Sequence, residues 1–456
     1  MSTGAATGVV DLLAESGGPG EPEVPALVGP DDILDRRELE DAVSRRAHEL
    51  RAAGVHPGAI HPLTVEPDRE AVLSLLALWR LGVTAAPLNA RLTPHERKVA
   101  TDALASVAPG AQVVLWTSGT SGRPRGVALG AANLRASTHA VAGRLGLDGS
   151  EWWHCSLSPA HVGGLVLIVR ALLTGATLIV PGRFDAGDVV RLLDDEDRPA
   201  WLPRPVTHAS FVPTQLARVM DAWHGGAGGG RPVAPDGLRC VLIGGAHAPA
   251  DLVRTATGRG WPLALTYGMT ETTSQVATAP PEHVRRKPGS AGPPLDGIEI
   301  RVDERDEILV RGPMLALGYV GGRAEPLADE DGWYHTGDLG TLDEEGDLWV
   351  TGRRSERIIS GGVTVDALEV EEALRAHPAV VEACVVGIPS PEWGETVAAA
   401  IVPVWAQFDL PDVERFLRQR LSAAKRPRVW KMEGELPRNA NGKTDRIRVR
   451  ALFDAS

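Results

Sequence analysis

Cysteine is scarce in this sequence, and its placement excludes small domains stabilised by disulfides or by a structural zinc ion. Three cysteines, Cys155, Cys240 and Cys384, are spread over 456 residues. Their number and spacing provide neither a disulfide framework nor the paired cysteines of a structural zinc site. Each has apolar neighbours in the sequence, so we expect three buried free thiols.

Long apolar runs are absent as well. The most apolar stretch, residues 165–180, is interrupted by Arg170 and Gly175, and it is shorter than the roughly 20 residues that a membrane-spanning helix needs. Residues 1–15 contain no basic region ahead of an apolar segment, which a secretory signal would require. We therefore expect a cytoplasmic protein without a membrane partner.

Positive charge and aromatic side chains are also limited. The formal net charge is -12 and aromatic residues make up 4% of the chain. Nucleic-acid binding depends on a basic surface that neutralises phosphates, so this composition excludes nucleic acid as a partner. A chain of 456 residues is too long for one hydrophobic core and predicts two unequal domains.

The sequence does contain a regular alternation of predicted helices and strands. Apolar spacing predicts helices at 35–54, 69–81 and 166–173, and strands at 83–87, 177–180 and 240–243. Such an alternation is typical of an α/β fold in which helices cover a largely parallel sheet. We expect a large layered N-terminal domain of mostly parallel sheets.

The two ends of the chain depart from this pattern. Residues 1–30 are rich in Gly, Pro and Glu and are expected to be poorly ordered. Beyond Gly352 the pattern restarts, and Asp366 with Glu369 has the spacing of a helix capping box. Strands are predicted at 380–386 and 397–402, followed by a helix at 413–421. These elements predict a small α+β domain of about 100 residues.

A loop rich in glycine and hydroxyl side chains is the most informative segment. Residues 117–126 read TSGTSGRPRG and lie between the apolar runs 113–116 and 127–129. Glycines allow successive backbone N–H groups to converge on an anion, while the hydroxyl and guanidinium groups add donors and positive charge. The segment lacks the Gly-Lys-Ser/Thr ending of a Walker-type loop. It predicts a polyphosphate-binding loop of another kind.

Four further segments follow this loop in a fixed order. They read YGMTET at 267–272, WYHTGDLG at 333–340, GRRSERIISGG at 352–362 and PRNANGKTDR at 437–446. Together the five segments resemble the motifs of the acyl-adenylate-forming superfamily of acyl- and aryl-CoA ligases, luciferases and adenylation domains. The resemblance implies ATP-dependent activation of a carboxylic acid. It also implies an adenylation domain at 31–352, a hinge at 353–355 and a mobile C-terminal lid domain at 356–456.

The resemblance assigns a nucleotide site. It implies that Asp338 accepts hydrogen bonds from both ribose hydroxyls with help from Arg353, and that Tyr267 offers its ring to adenine. A carboxylate suits this task because it only accepts and can serve two donors. The implied nucleotide-binding residues are Thr117, Ser118, Gly119, Thr120, Ser121, Gly122, Arg125, Gly244, Gly245, Ala246, Tyr267, Gly268, Asp338 and Arg353.

Three residues carry the implied chemistry of the first step. Glu271 matches the position that binds Mg²⁺, and a hard cation favours a carboxylate oxygen. Lys443 stands in an Asn-Gly-Lys-Thr turn, where a flexible ammonium can reach an α-phosphate or an acyl oxygen. Thr270, next to Glu271, completes the implied catalytic set.

A second step, in which a thiol attacks the same carbonyl, implies a second arrangement of the two domains. By resemblance, the lid domain rotates about Ser355, and the co-substrate CoA passes Ser360, Gly361 and Gly362. The implied contacts of the carboxylic acid are His161, Gly163, Gly164 and Ser274. His161 fits a core histidine equally well. A homodimer is an assembly that this interpretation allows.

Within the superfamily, softer signals resemble the o-succinylbenzoate–CoA ligases of menaquinone synthesis. They lie at 210–216, 267–278 and 289–295, and they imply 2-succinylbenzoate as the acid. Its second carboxylate needs a donor or a cation, which the sequence alone does not identify. Two departures affect details: Arg125 stands where Lys is usual, and VTVDA at 363–367 replaces the usual segment after the glycine pair.

Two other interpretations stay open. The first is a stand-alone aryl-acid adenylating enzyme that loads a separate carrier protein, since the altered segment at 363–367 bears on the thiol acceptor. The second is a non-catalytic homologue that binds a nucleotide or an acyl ligand. The joint presence of Glu271, Asp338, Arg353 and Lys443 argues against this second interpretation.

Overall fold

The computed structural model describes residues 8–15, 24–104, 107–117, 125–194, 196–225, 233–320, 327–439 and 442–454. Its helices are α1 Leu12–Glu15, α2 Arg36–Ala52, α3 Arg69–Arg80, α4 Pro94–Ala103, α5 Ala131–Leu145, α6 Val162–Thr174, α7 Ala186–Leu193, α8 Pro213–His224, α9 Ala250–Gly258, α10 Pro281–Arg286, α11 Ala367–Arg375, α12 Leu410–Arg418 and α13 Arg446–Asp454. Short 3₁₀ turns cover Thr270–Thr272 and Arg354–Glu356.

The strands are β1 Pro25–Val28, β2 Ile33–Asp35, β3 Ile60–Val65, β4 Thr84–Asn89, β5 Ala111–Thr117, β6 Arg125–Gly130, β7 Trp152–His154, β8 Thr177–Ile179, β9 His208–Phe211, β10 Cys240–Ile243 and β11 Leu263–Met269. They continue with β12 Ser274–Ala279, β13 Glu299–Val302, β14 Glu307–Arg311, β15 Gly318–Val320, β16 Tyr334–Leu342, β17 Leu348–Arg353, β18 Arg357–Ser360, β19 Val363–Asp366, β20 Val380–Ser390, β21 Gly394–Pro403 and β22 Val429–Met432.

The predicted α/β class is confirmed by the sheets. The largest sheet has eight strands in the order β12-β11-β10-β9-β7-β8-β1-β2. Its pairs from β11 to β1 are parallel, and the two outer pairs are antiparallel. A five-stranded sheet, β15-β6-β5-β4-β3, is parallel only at the β3–β4 and β4–β5 pairs. Helices fill the connections between parallel strands, as the alternation in the sequence requires.

Helices α3 and α6 show why these segments fold as they do. The side chain of Asp68 accepts a hydrogen bond from the Ala71 N–H and caps the start of α3. Nearly every residue of α3 and of α6 after its first turn is buried, because each helix is covered on more than one side. Gly175, with φ of 82°, ends α6 in a left-handed conformation that suits glycine.

The chain after Gly352, called the C-terminal unit below, has its own core. Strands β18 to β22 form one sheet, with α11 packed on β20. Among the described residues, the apolar clusters built from residues 358–453 share no member with those of the N-terminal unit. This small α+β unit is what the sequence pattern predicts beyond Gly352.

Two local expectations are wrong. Within residues 1–30, the described parts are ordered, because Leu12 and Leu13 are buried in the core and β1 pairs with β8. The predicted capping box of α11 does not form. The Asp366 carboxylate instead accepts from the Arg357 Nε–H at 3.0 Å, and Glu369 pairs with Lys425, since charged partners give stronger hydrogen bonds than backbone amides.

The expectations for membrane-spanning helices and for the three cysteines agree with the structure. In the parts of the chain that the structure describes, no helix combines the length and the apolarity needed to span a membrane. The three cysteines are buried free thiols, as expected. Burial raises the pKa of each thiol to about 12, so all three are protonated near neutral pH.

Candidate active site

A cleft of about 2360 Å³ lies between the N-terminal and C-terminal units. Most of the described residues that the sequence analysis selected line it. They are Thr117, Arg125, His161, Gly163, Gly164, Gly244, Gly245, Ala246, Tyr267, Gly268, Thr270, Glu271, Ser274, Asp338, Arg353, Ser355 and Lys443. Residues from distant parts of the sequence therefore meet at one site.

Asp338 and Arg353 face each other because β16 and β17 pair at these two positions. The Arg353 Nε lies 3.1 Å from one oxygen of Asp338, and the Tyr267 hydroxyl donates to the other oxygen at 2.9 Å. Burial raises the pKa of Asp338 above its ordinary value, while Arg353 and Tyr267 act in the opposite direction. The result is a carboxylate held by two donors at the cleft wall.

A tight chain reversal after β11 brings Tyr267 and Glu271 to the same region. A Cβ on Gly268 would lie 1.8 Å from the Ser274 carbonyl oxygen, so only glycine fits at this position. Thr273 and Ser274 have φ angles of 49° and 85°, a conformation that non-glycine residues seldom adopt. Such strain is tolerated at sites that the surrounding structure fixes.

Glu271 belongs to a chain of hydroxyl contacts. The Tyr319 hydroxyl donates to Glu271 Oε1 at 3.2 Å and lies 3.3 Å from the Tyr334 hydroxyl. The guanidinium of Arg125 lies over the Tyr319 ring, 5.4 Å from its centre, within cation–π range. Glu271 and Arg125 are thus linked through one tyrosine.

The strands that flank the predicted phosphate loop are present. β5 and β6 are antiparallel and pair Thr117 with Arg125, and the Thr117 hydroxyl donates to the Arg125 carbonyl at 3.3 Å. Ser118, Gly119, Thr120, Ser121 and Gly122 lie outside the described residues. The structure therefore fixes the base of the loop beside Tyr319.

Lys443 reaches into the cleft from the C-terminal unit. Its Cε lies 3.8 Å from where a Cβ of Gly245 would stand. Lys443 is exposed in the wide cleft, with the charges of Arg353 and Asp338 close enough to act on it. Burial lowers the pKa of Lys443, the positive charge of Arg353 adds to this effect, and Asp338 opposes it. The ammonium thus lies among the groups that the sequence analysis assigned to the nucleotide.

His161 and the glycines that follow it form another wall of the cleft. The Asn89 amide nitrogen lies 3.1 Å from His161 Nε2. Burial lowers the pKa of His161 to about 4, with a further contribution from Lys443, so the imidazole is neutral at pH 7. A Cβ on Gly164 would lie 2.4 Å from the Ser158 carbonyl oxygen, so α6 can start here only with glycine.

Arg170 is the most unusual charged residue at the cleft. It lies on α6 and is only 1% exposed, and its three guanidinium nitrogens have no hydrogen-bond partner among the described residues. The Trp153 ring lies 5.5 Å from the guanidinium. Burial lowers the pKa of Arg170 to about 10, so it keeps its charge near neutral pH. A buried, unpaired cation is costly and calls for an anion.

The residues assigned to the thiol side lie elsewhere in this arrangement. Gly361 and Gly362 form the two-residue turn between β18 and β19, with φ of 58° and 79°. Positive φ at both positions fits a type I′ hairpin turn. Ser360, Gly361 and Gly362 are not among the described residues that line the cleft, although Ser355 is.

Three residues that line the cleft were missed by the sequence analysis, namely Arg170, Tyr319 and Tyr334. Asn89, which contacts the cleft residue His161, was missed as well. A compositional signal existed for the tyrosines. The chain contains only three tyrosines, and all three line this cleft. Arg170 was noted only as an interruption of an apolar run, although a lone cation in such a run is a reason to expect a ligand.

Comparison with known proteins places the chain in a family. Residues 16–109 and 107–320 match the AMP-binding enzyme family, and residues 369–443 match the AMP-binding enzyme C-terminal domain. These matches cover more than half of the chain. The chain therefore belongs to the AMP-binding enzyme family.

The similar curated relatives include 2-succinylbenzoate–CoA ligases. The protein of Bacillus subtilis (strain 168) is 32% identical over an alignment of 472 residues, and this alignment covers 92% of this chain and 94% of the relative. That of Bacillus mycoides (strain KBAB4) is 37% identical over 354 residues, covering 75% and 70%. The chain thus spans most of the length of these relatives.

Solved structures show the same fold. The o-succinylbenzoate CoA synthetase of Bacillus subtilis, in complex with the acyl-adenylate intermediate OSB-AMP, is 30% identical with a TM-score of 0.87, covering 98% of both chains. The same enzyme in complex with ATP and magnesium ion is 29% identical with a TM-score of 0.84, covering 97% of this chain and 99% of that one. ATP-bound MatB from Rhodopseudomonas palustris is 26% identical with a TM-score of 0.84, covering 97% and 98%.

Proposed function

We propose that the protein activates a carboxylic acid with ATP to an acyl-adenylate and then transfers the acyl group to CoA. The proposed acid is 2-succinylbenzoate and the product 2-succinylbenzoyl-CoA, in menaquinone biosynthesis. Family membership and the similarity to 2-succinylbenzoate–CoA ligases over nearly the whole chain support this activity. Because ATP and CoA are the co-substrates, we place the enzyme in the cytoplasm.

The first step places an acid carboxylate against the α-phosphate of ATP and expels pyrophosphate. In the proposal, Asp338 binds the ribose hydroxyls, Tyr267 flanks adenine, and the loop between β5 and β6 holds the terminal phosphates. Lys443 neutralises charge that builds up at the α-phosphate and the acyl oxygen. These residues act by positioning and by electrostatic stabilisation, which are the main contributions to phosphoryl-type transfer.

The residues present fit a single Mg²⁺ carried with the nucleotide. Glu271 offers a carboxylate at the cleft, and one of its oxygens, Oε1, already accepts from Tyr319. In the described residues no cluster of three or more acidic, His or Cys side chains could hold a metal alone. Mg²⁺ is usually bound by one or two carboxylates, phosphates and water. When bound, it would neutralise the phosphate charge.

The second step requires the C-terminal unit to rotate. Ser360, Gly361 and Gly362 do not line the cleft in this arrangement, whereas Lys443 does. We propose that the structure represents the adenylate-forming arrangement, and that rotation about Ser355 removes Lys443 and brings the glycine turn to the pantetheine path. Rotation of a domain about a few hinge residues is a common way for proteins to rearrange a site.

Arg170 is the observation that supports a diacid as the substrate. It lies at the cleft on the same helix as Gly163 and Gly164, fully buried, charged and without a hydrogen-bond partner among the described residues. 2-Succinylbenzoate carries one carboxylate for activation and a second that needs a cation. We propose that Arg170 binds this second carboxylate, since a guanidinium offers paired donors to a carboxylate.

The test is ATP–pyrophosphate exchange with 2-succinylbenzoate and with monocarboxylic analogues, with CoA added to every acid that gives exchange. We expect 2-succinylbenzoate to give exchange and a CoA thioester. In Arg170→Met we expect kcat/KM for the diacid to fall by roughly 30-fold or more, because truncating one partner of a buried ion pair costs about 2–5 kcal/mol. A retained rate with a monoacid is the control for folding.

Other outcomes favour the other interpretations. Exchange with an aryl acid but no CoA product would support loading of a carrier protein. ATP binding without exchange for any acid would support a non-catalytic homologue. A diacid rate that is unchanged in Arg170→Met would contradict the role of Arg170. The homodimer stays a prediction, which light scattering on the purified protein would test.

A further inference from the structure

Tyr319 lies between two parts of the site that are far apart in the sequence. Its hydroxyl contacts Glu271 Oε1 at 3.2 Å, and its ring lies under the Arg125 guanidinium at 5.4 Å. Glu271 belongs to the turn after β11, and Arg125 is the first residue of β6. One side chain therefore touches both the proposed metal carboxylate and the charge at the end of the phosphate loop.

The backbone around Tyr319 makes the same two connections. The Ala316 N–H donates to the Glu271 carbonyl at 2.8 Å. β15 is paired with β6, so Tyr319 stands opposite Val127 and Val320 opposite Gly126. Main chain and side chain together fix the distance between the Glu271 turn and the base of the loop.

The geometry also leaves Glu271 available for a ligand. Only Oε1 takes the Tyr319 hydroxyl, so Oε2 can face the cleft. Without this hydrogen bond, the carboxylate could rotate about its own side-chain torsions, whose preferences are broad. A fixed carboxylate binds a metal more tightly than a mobile one, because hydrogen bonds to ligating groups orient them.

We propose that Tyr319 is a positioning residue that aligns Glu271 with Mg²⁺·ATP and holds Arg125 toward the terminal phosphates. The proposal rests on the proposed function, because it takes Glu271 as the metal carboxylate and the β5–β6 loop as the phosphate loop. The predicted consequence is a coupling between metal binding and phosphate binding through one side chain.

Two substitutions separate the two contacts of Tyr319. Tyr319→Phe keeps the ring under Arg125 and removes the hydroxyl from Glu271. Tyr319→Leu removes both. Binding of Mn²⁺ is followed by electron paramagnetic resonance with α,β-methylene-ATP present, and binding of the same analogue without metal is measured by calorimetry. Neither measurement depends on turnover.

For Tyr319→Phe we expect Mn²⁺ affinity to fall about three- to tenfold, with metal-free analogue affinity within twofold of the wild type. For Tyr319→Leu we expect the same loss for Mn²⁺ and, in addition, a roughly threefold weaker metal-free affinity, because Arg125 loses its support. Wild-type Mn²⁺ affinity in Tyr319→Phe would overturn the proposal. Equal loss of metal-free binding in both variants would also overturn it, since that pattern indicates general damage.

Failure of the proposed function gives a different result. If the wild-type protein binds neither the analogue nor Mn²⁺ with it, the nucleotide site itself is wrong, and the role of Tyr319 falls with it. If the wild type binds both and catalyses exchange while Tyr319→Phe behaves identically, only the role of Tyr319 is wrong.

Discussion

At the scale of single residues, Lys443 lies among groups that shift its pKa in opposite directions. The chain contains five lysines, Lys98, Lys287, Lys425, Lys431 and Lys443, and Lys443 lines the cleft. Burial and Arg353 lower its pKa, whereas Asp338 raises it. A weaker cation suits the proposed role, in which Lys443 approaches an anionic substrate and later withdraws from it.

This arrangement predicts an alkaline limit for adenylate formation. Because the pKa of Lys443 is lowered from the ordinary 10.5, its charge is complete at low pH and is lost as pH rises through the lowered value. We expect ATP–pyrophosphate exchange to decline at alkaline pH before a solvated lysine would lose its proton. The measurement is the pH–rate profile of exchange.

Two controls accompany this profile. In Lys443→Arg, whatever exchange remains should lack the alkaline limit, because a guanidinium stays charged in that range. Formation of the thioester from supplied acyl-adenylate should lack it as well, since Lys443 is proposed to leave the site in that step. The same alkaline limit in the Arg variant would contradict the assignment.

Single residues also show where sequence reasoning ends. Lys443, Glu271 and Asp338 could be selected because each stands in a recognisable local segment. Arg170 and Tyr319 could not, because what distinguishes them is three-dimensional: the guanidinium of Arg170 is buried without a partner, and Tyr319 contacts residues 48 and 194 positions away in the chain. Local patterns contain no information about such contacts.

At the scale of elements, the reversal from β11 through the 3₁₀ turn to β12 positions both Tyr267 and Glu271. It depends on Gly268, whose missing side chain lets the Ser274 carbonyl approach. It also depends on the strained φ angles of Thr273 and Ser274. A small change here should disturb the proposed adenine contact of Tyr267 and the proposed metal contact of Glu271 together.

We therefore predict that Gly268→Ala damages both stability and nucleotide binding. An added Cβ would meet the Ser274 carbonyl oxygen at 1.8 Å, and forcing the strands apart should cost about 1–3 kcal/mol of unfolding free energy. Urea denaturation measures the stability, and calorimetry measures ATP affinity. Gly143→Ala is the matched control, because Gly143 lies within α5 with nothing within 4 Å of the added Cβ.

For Gly143→Ala we expect a gain of about 0.5–1 kcal/mol and unchanged ATP affinity, because alanine is the better helix former. If Gly268→Ala were as stable as the wild type and bound ATP normally, the reversal would not be constrained in the way the geometry indicates.

Elements were predicted more successfully than their caps and ends. The strands β5, β10 and β20 and the helices α3 and α6 are readable because their apolar residues follow the period of the element. The capping box at Asp366 was wrong because Arg357, from the neighbouring strand, takes the carboxylate. The described residues 8–15 and 24–30 were misjudged because composition outweighed the few apolar residues, Leu12 and Leu13 among them, that enter the core.

At the scale of the whole molecule, charged residues on either side of the hinge form ion pairs with different units. Arg354 pairs with Glu307 of the N-terminal unit at 2.8 Å, and Glu356 pairs with Arg446 of the C-terminal unit at 3.0 Å. Ser355 lies between them and is exposed. A rotation about this residue would keep both pairs intact, which supports its proposed role as the hinge.

Outside the hinge, a longer contact of 3.5 Å joins Arg357 to Asp306, and a shorter pair joins the two units farther away. His247, in the loop after β10, places its Nε2 2.8 Å from Glu372 Oε1 on α11. The hydrogen bond from His247 lowers the pKa of Glu372, so the carboxylate is ionised over a wider pH range than usual. This contact exists only while the C-terminal unit keeps its present orientation.

Loss of this contact should change the balance between the two half-reactions. Glu372→Ala removes the contact with His247, and a partly exposed pair of this kind contributes about 0.2–1 kcal/mol. We expect adenylate formation to slow by up to about fivefold, while thioester formation from supplied adenylate stays equal or becomes faster. Glu369→Ala is the matched control on the same helix, because it removes a pair with Lys425 inside the C-terminal unit.

Glu369→Ala also removes a carboxylate from α11, but it should leave the ratio of adenylate formation to thioester formation unchanged. His247→Ala should reproduce the effect of Glu372→Ala, and the double variant should add nothing further, since both changes remove one interaction. If the two half-reactions slowed equally in Glu372→Ala, the pair would support the fold of α11 rather than the orientation of the C-terminal unit. A change in their ratio, shared by both single variants, would assign the pair to the adenylate-forming arrangement.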